Sequence, residues 1–169
     1  MTATGPETFR FADDGRVPNH PTLPVLVYHD VAGVSAGPAE CERLFTDNGW
    51  GGTWRNGIFP FQHYHSRSHE ALGIVAGTAT VLVGGEQGAT LELRPGDALV
   101  LPAGTGHRNL GSSADLLVIG AYPPGQEDVD ILRDDPAEHD AAVQRILKLS
   151  LPPADPVLGR HGGLSQLWL

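Results

Sequence analysis

The segment His63-Tyr64-His65-Ser66-Arg67-Ser68-His69-Glu70 places three histidines and a carboxylate within eight residues. Neutral imidazole nitrogens and carboxylate oxygens are donors that divalent transition metals accept. A further histidine, His107, closes the segment 96–107 downstream. These residue types predict a metal centre if the fold brings the two segments together. Its expected ligands are His63, His65, Glu70 and His107.

The spacing suits one site on a β-fold. Side chains alternate along a strand, so His63 and His65 would share one face while Tyr64 points away. The turn at 66–68 lets the chain reverse, and Glu70 can then reach the same point. His107 must come from a strand distant in sequence, which a closed or sandwiched β-fold provides. Four such donors leave two positions of an octahedral ion for water, dioxygen or a chelating substrate.

Each donor taken alone has an ordinary alternative. The His-x-His pair is common, His107 could cap a loop, and Glu70 could be a surface charge at the start of a strand. Their coincidence, with glycines bounding both segments, favours metal binding.

His69 is open to several interpretations. If His69 already belongs to the strand of Glu70, its side chain points to the opposite face from Glu70. It then either hydrogen-bonds to the metal ligands without binding the metal or lies on the surface. If the turn is still irregular, His69 is a fifth ligand, a replacement for Glu70, or a proton shuttle near neutral pH.

Four side chains are candidates for a pocket above the metal. Phe59 and Phe61 share the face of the histidines and would give it an apolar lining. Arg55 could bind an acidic substrate at the mouth, because arginine pairs with carboxylates in bidentate fashion; the alternative is an exposed arginine. Tyr122, near a strand end, offers a hydroxyl or serves packing alone.

The elements that must position these residues are short strands joined by tight turns. The 169 residues are a single-domain length, and the 22 glycines and 14 prolines are typical of many turns. Short strands with glycine-rich breaks favour a sandwich or barrel over βαβ units. The predicted strands are 24–31, 59–65, 71–76, 78–83, 89–94, 98–101 and 116–122; the predicted helices are 38–48 and 137–146.

The run 98–101 is apolar at each position, so this strand is expected to be covered on both faces, with a second subunit as one candidate cover. The single domain, 1–169, is expected to have an irregular N-terminal arm at 1–22. Its barrel core is expected at 57–122, and a C-terminal extension follows at 123–169.

Composition excludes several classes of partner. A net charge of -9 with one lysine argues against nucleic acid and anionic membranes, whose phosphates require clustered basic residues. No run approaches the eighteen or so apolar residues of a membrane span. The polar, acidic segment 1–14 lacks the features of a signal peptide. The one cysteine, Cys41, is expected to pack as a small apolar side chain in a reducing cytoplasm.

Two spaced patterns resemble the cupin family. Gly57-x5-His63-x-His65-x4-Glu70-x6-Gly77 matches its first motif at every position, and Gly96-x5-Pro102-x-Gly104-x2-His107 matches the second. The asparagine that usually closes the second motif is replaced by Gly111. The wider context is similar to the YjlB-like branch of the cupins; it comprises Asn48-Gly49-Trp50, Trp54-x-Asn56-Gly57, His63-Tyr64-His65-Ser66, Gly120-Ala121-Tyr122-Pro123 and Gly125-Gln126.

The resemblance implies an all-β fold, a double-stranded β-helix (jelly-roll barrel) with a few short peripheral helices. It also implies one divalent transition metal per chain, which could be Fe, Mn, Ni, Zn or Co. The implied metal ligands are His63, His65, Glu70 and His107. Cupins are commonly dimers, so a homodimer is expected.

Two functions follow from these expectations. The first is a metal-dependent enzyme of dioxygenase or isomerase type that acts on a small oxygenated molecule. The sequence contains no Gly-x-Ser-x-Gly elbow and no activated cysteine, so the metal is the visible source of catalysis and no other catalytic residue is assigned. The alternative is a non-catalytic cupin that binds a metal and a ligand.

Overall fold

The computed structural model describes residues 5–169. Within them the chain forms eleven strands and four short helices. The strands are Glu7–Phe9 (β1), Val25–Tyr28 (β2), Gly51–Asn56 (β3), His63–Tyr64 (β4), Glu70–Ala76 (β5), Ala79–Val83 (β6), Ala89–Leu93 (β7), Ala98–Leu101 (β8), His107–Ser112 (β9), Leu117–Tyr122 (β10) and Leu132–Arg133 (β11). The helices are Ala32–Ser35 (α1), Pro38–Asp47 (α2), Pro136–Leu147 (α3) and Leu164–Leu167 (α4).

Two antiparallel sheets face each other. The larger has the order β1-β2-β8-β5-β10-β3, and the smaller has the order β11-β4-β9-β6-β7. The four histidine and glutamate candidates are divided between them, since β4 and β9 belong to the smaller sheet and β5 to the larger. The expected all-β jelly-roll with few short helices is confirmed.

Apolar residues fill the space between the sheets and also cover the outside of the larger sheet. Leu72 and Leu99 of the larger sheet pack with Val81 of the smaller one in the interior. On the opposite face, Val100 packs with Phe45 of α2 and the C-terminal Trp168. The expected cover on both faces of β8 is thus confirmed, and helices of the same chain supply the outer cover.

Both predicted helices are present, with ends that their sequences explain. Helix α2 begins at Pro38, and its C-terminus is followed by Gly49 in the left-handed region, at a φ of 86°. Helix α3 begins after Asp135, whose carboxylate accepts a hydrogen bond from the backbone N–H of Ala137. The observed bounds of α3 differ from the predicted ones by one residue at each end, and those of α2 by one residue at the C-terminus only.

Several strands differ from the prediction. The run predicted at 59–65 is a strand only at His63–Tyr64, because Pro60 cannot donate to a ladder. Strands β3 and β9 were not predicted. Strand β9 contains Arg108, Asn109 and Gly111, and its pairing with β6 shifts register there, so that Leu110 bulges outward, 48% exposed. Gly111, in place of the closing asparagine, therefore lies within a bulged strand.

The N-terminal arm, expected to be irregular, contributes β1, which pairs with β2. Residues 1–4 of that arm lie outside the described part of the chain. Across the described residues, no helix has the length and apolar character needed to cross a membrane.

Candidate metal centre

The three histidines of the two motifs meet at one end of the barrel. His63 in β4 and His107 in β9 are register partners, and their ring centroids lie 4.0 Å apart. His65 follows β4 directly, with its ring 5.4 Å from that of His107. One nitrogen from each ring can be chosen so that all three lie within 4.8 Å of one another. All three side chains are buried.

Glu70 reaches the same point from the opposite sheet. As the first residue of β5, it places its Oε1 3.3 Å from Nε2 of His65 and 3.2 Å from Nε2 of His107. The structure therefore brings together all four residues that the motif spacing singled out, although three lie on one sheet and the fourth on the other.

Backbone carbonyls fix the orientation of each imidazole. Nδ1 of His63 lies 3.0 Å from the carbonyl of Phe61, and Nδ1 of His107 lies 3.0 Å from that of Thr105. Nδ1 of His65 lies 2.5 Å from the carbonyl of Asp130. A carbonyl only accepts, so each Nδ1 must donate its proton. The Nε2 atoms of the neutral rings consequently turn their lone pairs toward the shared space, as in metal-binding histidines.

The Glu70 carboxylate completes a set of acceptors that lack a donor. Its Oε1 is buried and makes no hydrogen bond. A buried charged oxygen left in this state is costly unless a cation pairs with it. Three imidazoles and a carboxylate that converge on one point, with no lysine or arginine beside them, fit a divalent transition metal. The residues present therefore suit the ion that the two motifs imply.

Charge in the metal-free centre is concentrated on one pair. Burial and the neighbouring His107 lower the pKa of His63 to about 3, so that this ring is neutral at pH 7. For His65, burial favours the neutral ring, but the Glu70 carboxylate outweighs it and raises the pKa to about 9. Burial would raise the pKa of Glu70, yet the imidazoles lower it below its usual range. A metal held by the neutral His65 ring would therefore replace a proton.

His69 lies apart from this cluster. Its Nδ1 accepts a hydrogen bond of 2.9 Å from the backbone N–H of Ala103, and its ring lies 4.9 Å from that of Trp168. Burial, with a smaller contribution from His20, lowers the pKa of His69 to about 3. The structure thus places His69 against the C-terminal segment, as a neutral buried ring.

A cavity of about 450 Å³ opens above the four donors. Its walls include Ile58 and Leu72, and Phe59 lies at its edge, 42% exposed. Tyr122 also faces the cavity, and its hydroxyl accepts a hydrogen bond of 2.8 Å from the indole N–H of Trp54. Phe59 and Tyr122, both candidates from the sequence, therefore border the space next to the donors.

Two other candidates lie outside the lining. Phe61 stacks on Phe59 with centroids 4.8 Å apart, and the Arg133 guanidinium lies 3.7 Å from its ring centre. Arg55 is half exposed, and its guanidinium pairs with Glu42 of α2 at 2.5 Å. The Arg55 side chain therefore lies on the surface and not at the cavity.

The sequence interpretation missed one segment of the centre, residues 128–131, here called the strap. Val129 and Ile131 line the cavity, whereas the Asp130 carbonyl holds His65. The Asp130 carboxylate accepts from the backbone N–H groups of Ser66, at 2.8 Å, and Arg67, at 3.2 Å. The alternation Asp-Val-Asp-Ile in the sequence could have indicated this segment. In an extended chain it places the polar side chains on one face and the apolar side chains on the other.

Comparison with known proteins agrees with this geometry. Residues 55–119 match the model of the cupin domain family. The chain is 42% identical to "Uncharacterized protein YjlB" of Bacillus subtilis (strain 168) over 163 residues, 96% of either chain. The chain therefore belongs to the cupin family and is a YjlB-like member of it.

Solved structures with a similar fold are more distant. An acireductone dioxygenase from Bacillus anthracis, with a cadmium ion in its active centre, is 19% identical, with a TM-score of 0.39; the match covers 52% of this chain and 60% of that one. KdgF from Halomonas sp. is 22% identical, with a TM-score of 0.36, over 72% of this chain and 91% of that one.

Proposed function

We propose that this cupin holds one divalent transition metal per chain through His63, His65, Glu70 and His107. We further propose that it acts on a small oxygenated molecule in the cavity above them. The observation that carries the proposal is the unpaired Oε1 of buried Glu70, which faces imidazole Nε2 atoms whose Nδ1 protons are already committed to carbonyls. Such a centre recruits a cation, and the adjoining cavity gives a ligand access to it.

The bound ion would supply Lewis acidity or dioxygen activation. The chain's own residues do the rest: the carbonyls of Phe61, Thr105 and Asp130 hold the rings, and apolar walls exclude water from the base of the cavity. Tyr122 offers its hydroxyl to a bound oxygen atom. Burial raises the pKa of Tyr122, so that it remains a neutral donor.

Dioxygenase-type chemistry is favoured over isomerisation by the composition of the lining. An isomerase that moves a proton needs a positioned acid or base. Among the described residues that line the cavity, the imidazoles and the carboxylate are the four donors themselves, and the raised pKa of Tyr122 makes its hydroxyl a poor acid and leaves no phenolate base at pH 7. The same observation keeps a non-catalytic metal- and ligand-binding cupin as the second candidate.

Elemental analysis of the purified protein tests the metal centre. We expect about one transition metal per chain in the wild type and its loss in both His63→Ala and His107→Ala. His161→Ala, at an exposed position, is the matched control and should retain the metal. Wild type without metal after reconstitution with Fe(II), Mn(II), Co(II), Ni(II) and Zn(II) would overturn the proposal. Oxygen consumption is then measured for the iron-loaded protein with candidate substrates. A dioxygenase should consume oxygen, and a non-catalytic metal- and ligand-binding cupin should not.

A cytoplasmic homodimer stays a prediction from the resemblance and from the single cysteine, which is buried. Light scattering should give about twice the chain mass of 17.9 kDa. A mass equal to that of one chain would contradict the dimer.

A further inference from the structure

The cavity carries charge only at its base. Among the described residues that line it, Glu70 is the only carboxylate and His63, His65 and His107 are the only imidazoles, and none is lysine or arginine. The arginines around it have other partners: Arg55 binds Glu42, Arg108 donates to the carbonyl of Pro60, and Arg133 lies on Phe61. A phosphate or second carboxylate on a ligand would therefore enter the walls without a counter-charge, which is unfavourable.

The walls above the donors are mainly apolar, and Asn56 is the polar side chain among them besides Tyr122. Ile58 and Leu72 extend from the barrel interior, and Val129 and Ile131 of the strap close the opposite side. Phe59 and Ile131, 42% and 51% exposed, border the opening. A volume of about 450 Å³ falls within the range of small-molecule sites. Such walls favour a ligand with a hydrocarbon portion, and each methylene group of the ligand that they bury raises its affinity about fourfold.

One polar group at the base is aimed by its neighbour. An indole N–H only donates, so the Trp54 N–H occupies an acceptor position on the Tyr122 oxygen and turns the Tyr122 proton elsewhere. The Tyr122 ring lies 6.5 Å from that of His65, next to the donors. Gly120 permits this arrangement, because a Cβ there would lie 2.0 Å from the Trp54 ring. The Tyr122 proton is thereby directed toward the Glu70 carboxylate, which also helps to raise the pKa of Tyr122, and toward an oxygen bound at the same point.

From these features we propose the ligand class. The cavity takes a small molecule with a single oxygen-chelating head, such as a hydroxyketone, a β-dicarbonyl or a hydroxy-monocarboxylate. The remainder of the ligand is an uncharged, apolar body that lies against Val129 and Ile131. This inference rests on the proposed function, since the head is bound by the metal, and it excludes phosphorylated and dicarboxylic ligands.

Three hydroxamates with one common head test the body of the ligand. Cobalt(II)-loaded protein is titrated with acetohydroxamate, benzohydroxamate and 4-carboxybenzohydroxamate, and the visible cobalt spectrum reports binding. We expect benzohydroxamate to bind at least tenfold more tightly than acetohydroxamate, and the added carboxylate to abolish most of that gain. Equal affinities, or tightest binding of the carboxylated probe, would overturn the inference.

Substitutions in the strap locate the effect. Val129→Arg should weaken benzohydroxamate at least tenfold, leave acetohydroxamate within threefold, and improve 4-carboxybenzohydroxamate. Leu110→Arg, on the exposed bulge of β9, is the matched control and should change none of the three affinities. Tyr122→Phe should weaken all three by a similar factor, because it removes a contact to the common head. Unchanged affinities in Val129→Arg would place the ligand body elsewhere.

A protein that binds no metal would give a different result in these titrations. Wild type that does not retain cobalt would overturn the proposed function and the chelated head together. The apolar body is then tested on the metal-free protein, where saturation-transfer NMR should detect 3-phenyl-1-propanol with wild type and not with Val129→Arg. Absence of that difference would overturn the apolar half of the inference as well.

Discussion

Two buried carboxylates of this barrel have opposite surroundings. Asp155, fully buried, accepts from the backbone N–H groups of Val157, Leu158 and Leu164 at 2.7, 2.9 and 2.8 Å, and from the Tyr28 hydroxyl at 2.5 Å. Glu70 is as deeply buried, but its Oε1 has no hydrogen-bond donor. The chain itself supplies the hydrogen-bond donors of the Asp155 carboxylate, whereas Oε1 of Glu70 receives no hydrogen bond from the chain.

Burial alone does not show whether a carboxylate stabilises the fold, because its hydrogen-bond donors decide this. The four donors around Asp155 offset the cost of removing its charge from water and tie the C-terminal segment to β2. Glu70 faces imidazole nitrogens instead, and its charge is balanced only where His65 takes up a proton, an arrangement that favours binding of a cation. Asp155 is therefore a structural group, whereas Glu70 is a proposed metal ligand, and each prediction below addresses one side of this contrast.

The largest effect on folding is expected at Asp155. Asp155→Ala leaves three backbone N–H groups and the Tyr28 hydroxyl without their acceptor, and should destabilise the protein by about 3–5 kcal/mol. Urea denaturation of the metal-free protein measures this loss. Metal content per folded chain should be unchanged; loss of metal from protein that remains folded would break the contrast.

Glu70→Gln should produce the reverse pattern. The free energy of unfolding of the metal-free protein should stay within about 1 kcal/mol of wild type, because the lost pairing with His65 is offset by the removal of a buried charge. Metal affinity should fall at least about a hundredfold, since the only anionic donor is lost. Competition with a chelating dye gives the affinity, and urea denaturation gives the stability. A destabilisation as large as that of Asp155→Ala would show that Glu70 is structural too.

Metal affinity should rise with pH. The pKa of His65 is raised to about 9 by Glu70, against an ordinary value of 6.5, so the stabilising charged pair is complete below about pH 6.5 and is lost toward pH 9. Metal binding requires the neutral ring, so affinity should increase up to about tenfold per pH unit between 6.5 and 9. Calorimetry in buffers of different ionisation enthalpy should detect about one proton released at pH 7.5. Affinity that is flat over this interval would show that no proton is displaced.

The smallest effect is expected at the strap. Asp130→Ala removes the carboxylate that fixes the strap to Ser66 and Arg67, and thereby loosens the carbonyl that orients His65. Metal affinity should fall about tenfold, with little change in stability. Asp128→Ala is the control: this side chain is 86% exposed, and its pairing with Arg67 contributes little. Equal losses in both variants would argue against a role for the carbonyl.

The first three candidate donors could be predicted to meet because their spacing is local, whereas His107 was indicated only by the second motif. Strand alternation puts His63 and His65 on one face, and a short reversal returns Glu70 to them. Helices α2 and α3 could be predicted for the same reason, since their prolines and acidic first turns act within the element itself.

The remainder depends on contacts between distant segments. Strand β9 exists because β6 pairs with it, although its own residues favour a loop. The Asp130 carbonyl meets His65 from 65 positions away, which no local pattern specifies. Arg55, interpreted as a candidate for the mouth, instead meets Glu42, because β3 lies at the edge of the larger sheet beside α2.

The depth of the donors imposes an order of events. Their side chains are at most 7% exposed, and the cavity that ends on them opens between Phe59 and Ile131. Under the proposed function, an ion that used this route would have to bind before the organic ligand, and a ligand bound after it would block its departure. Exchange of the metal with solution should then be slower when a ligand fills the cavity, because the bound ligand lowers the dissociation rate of the ion.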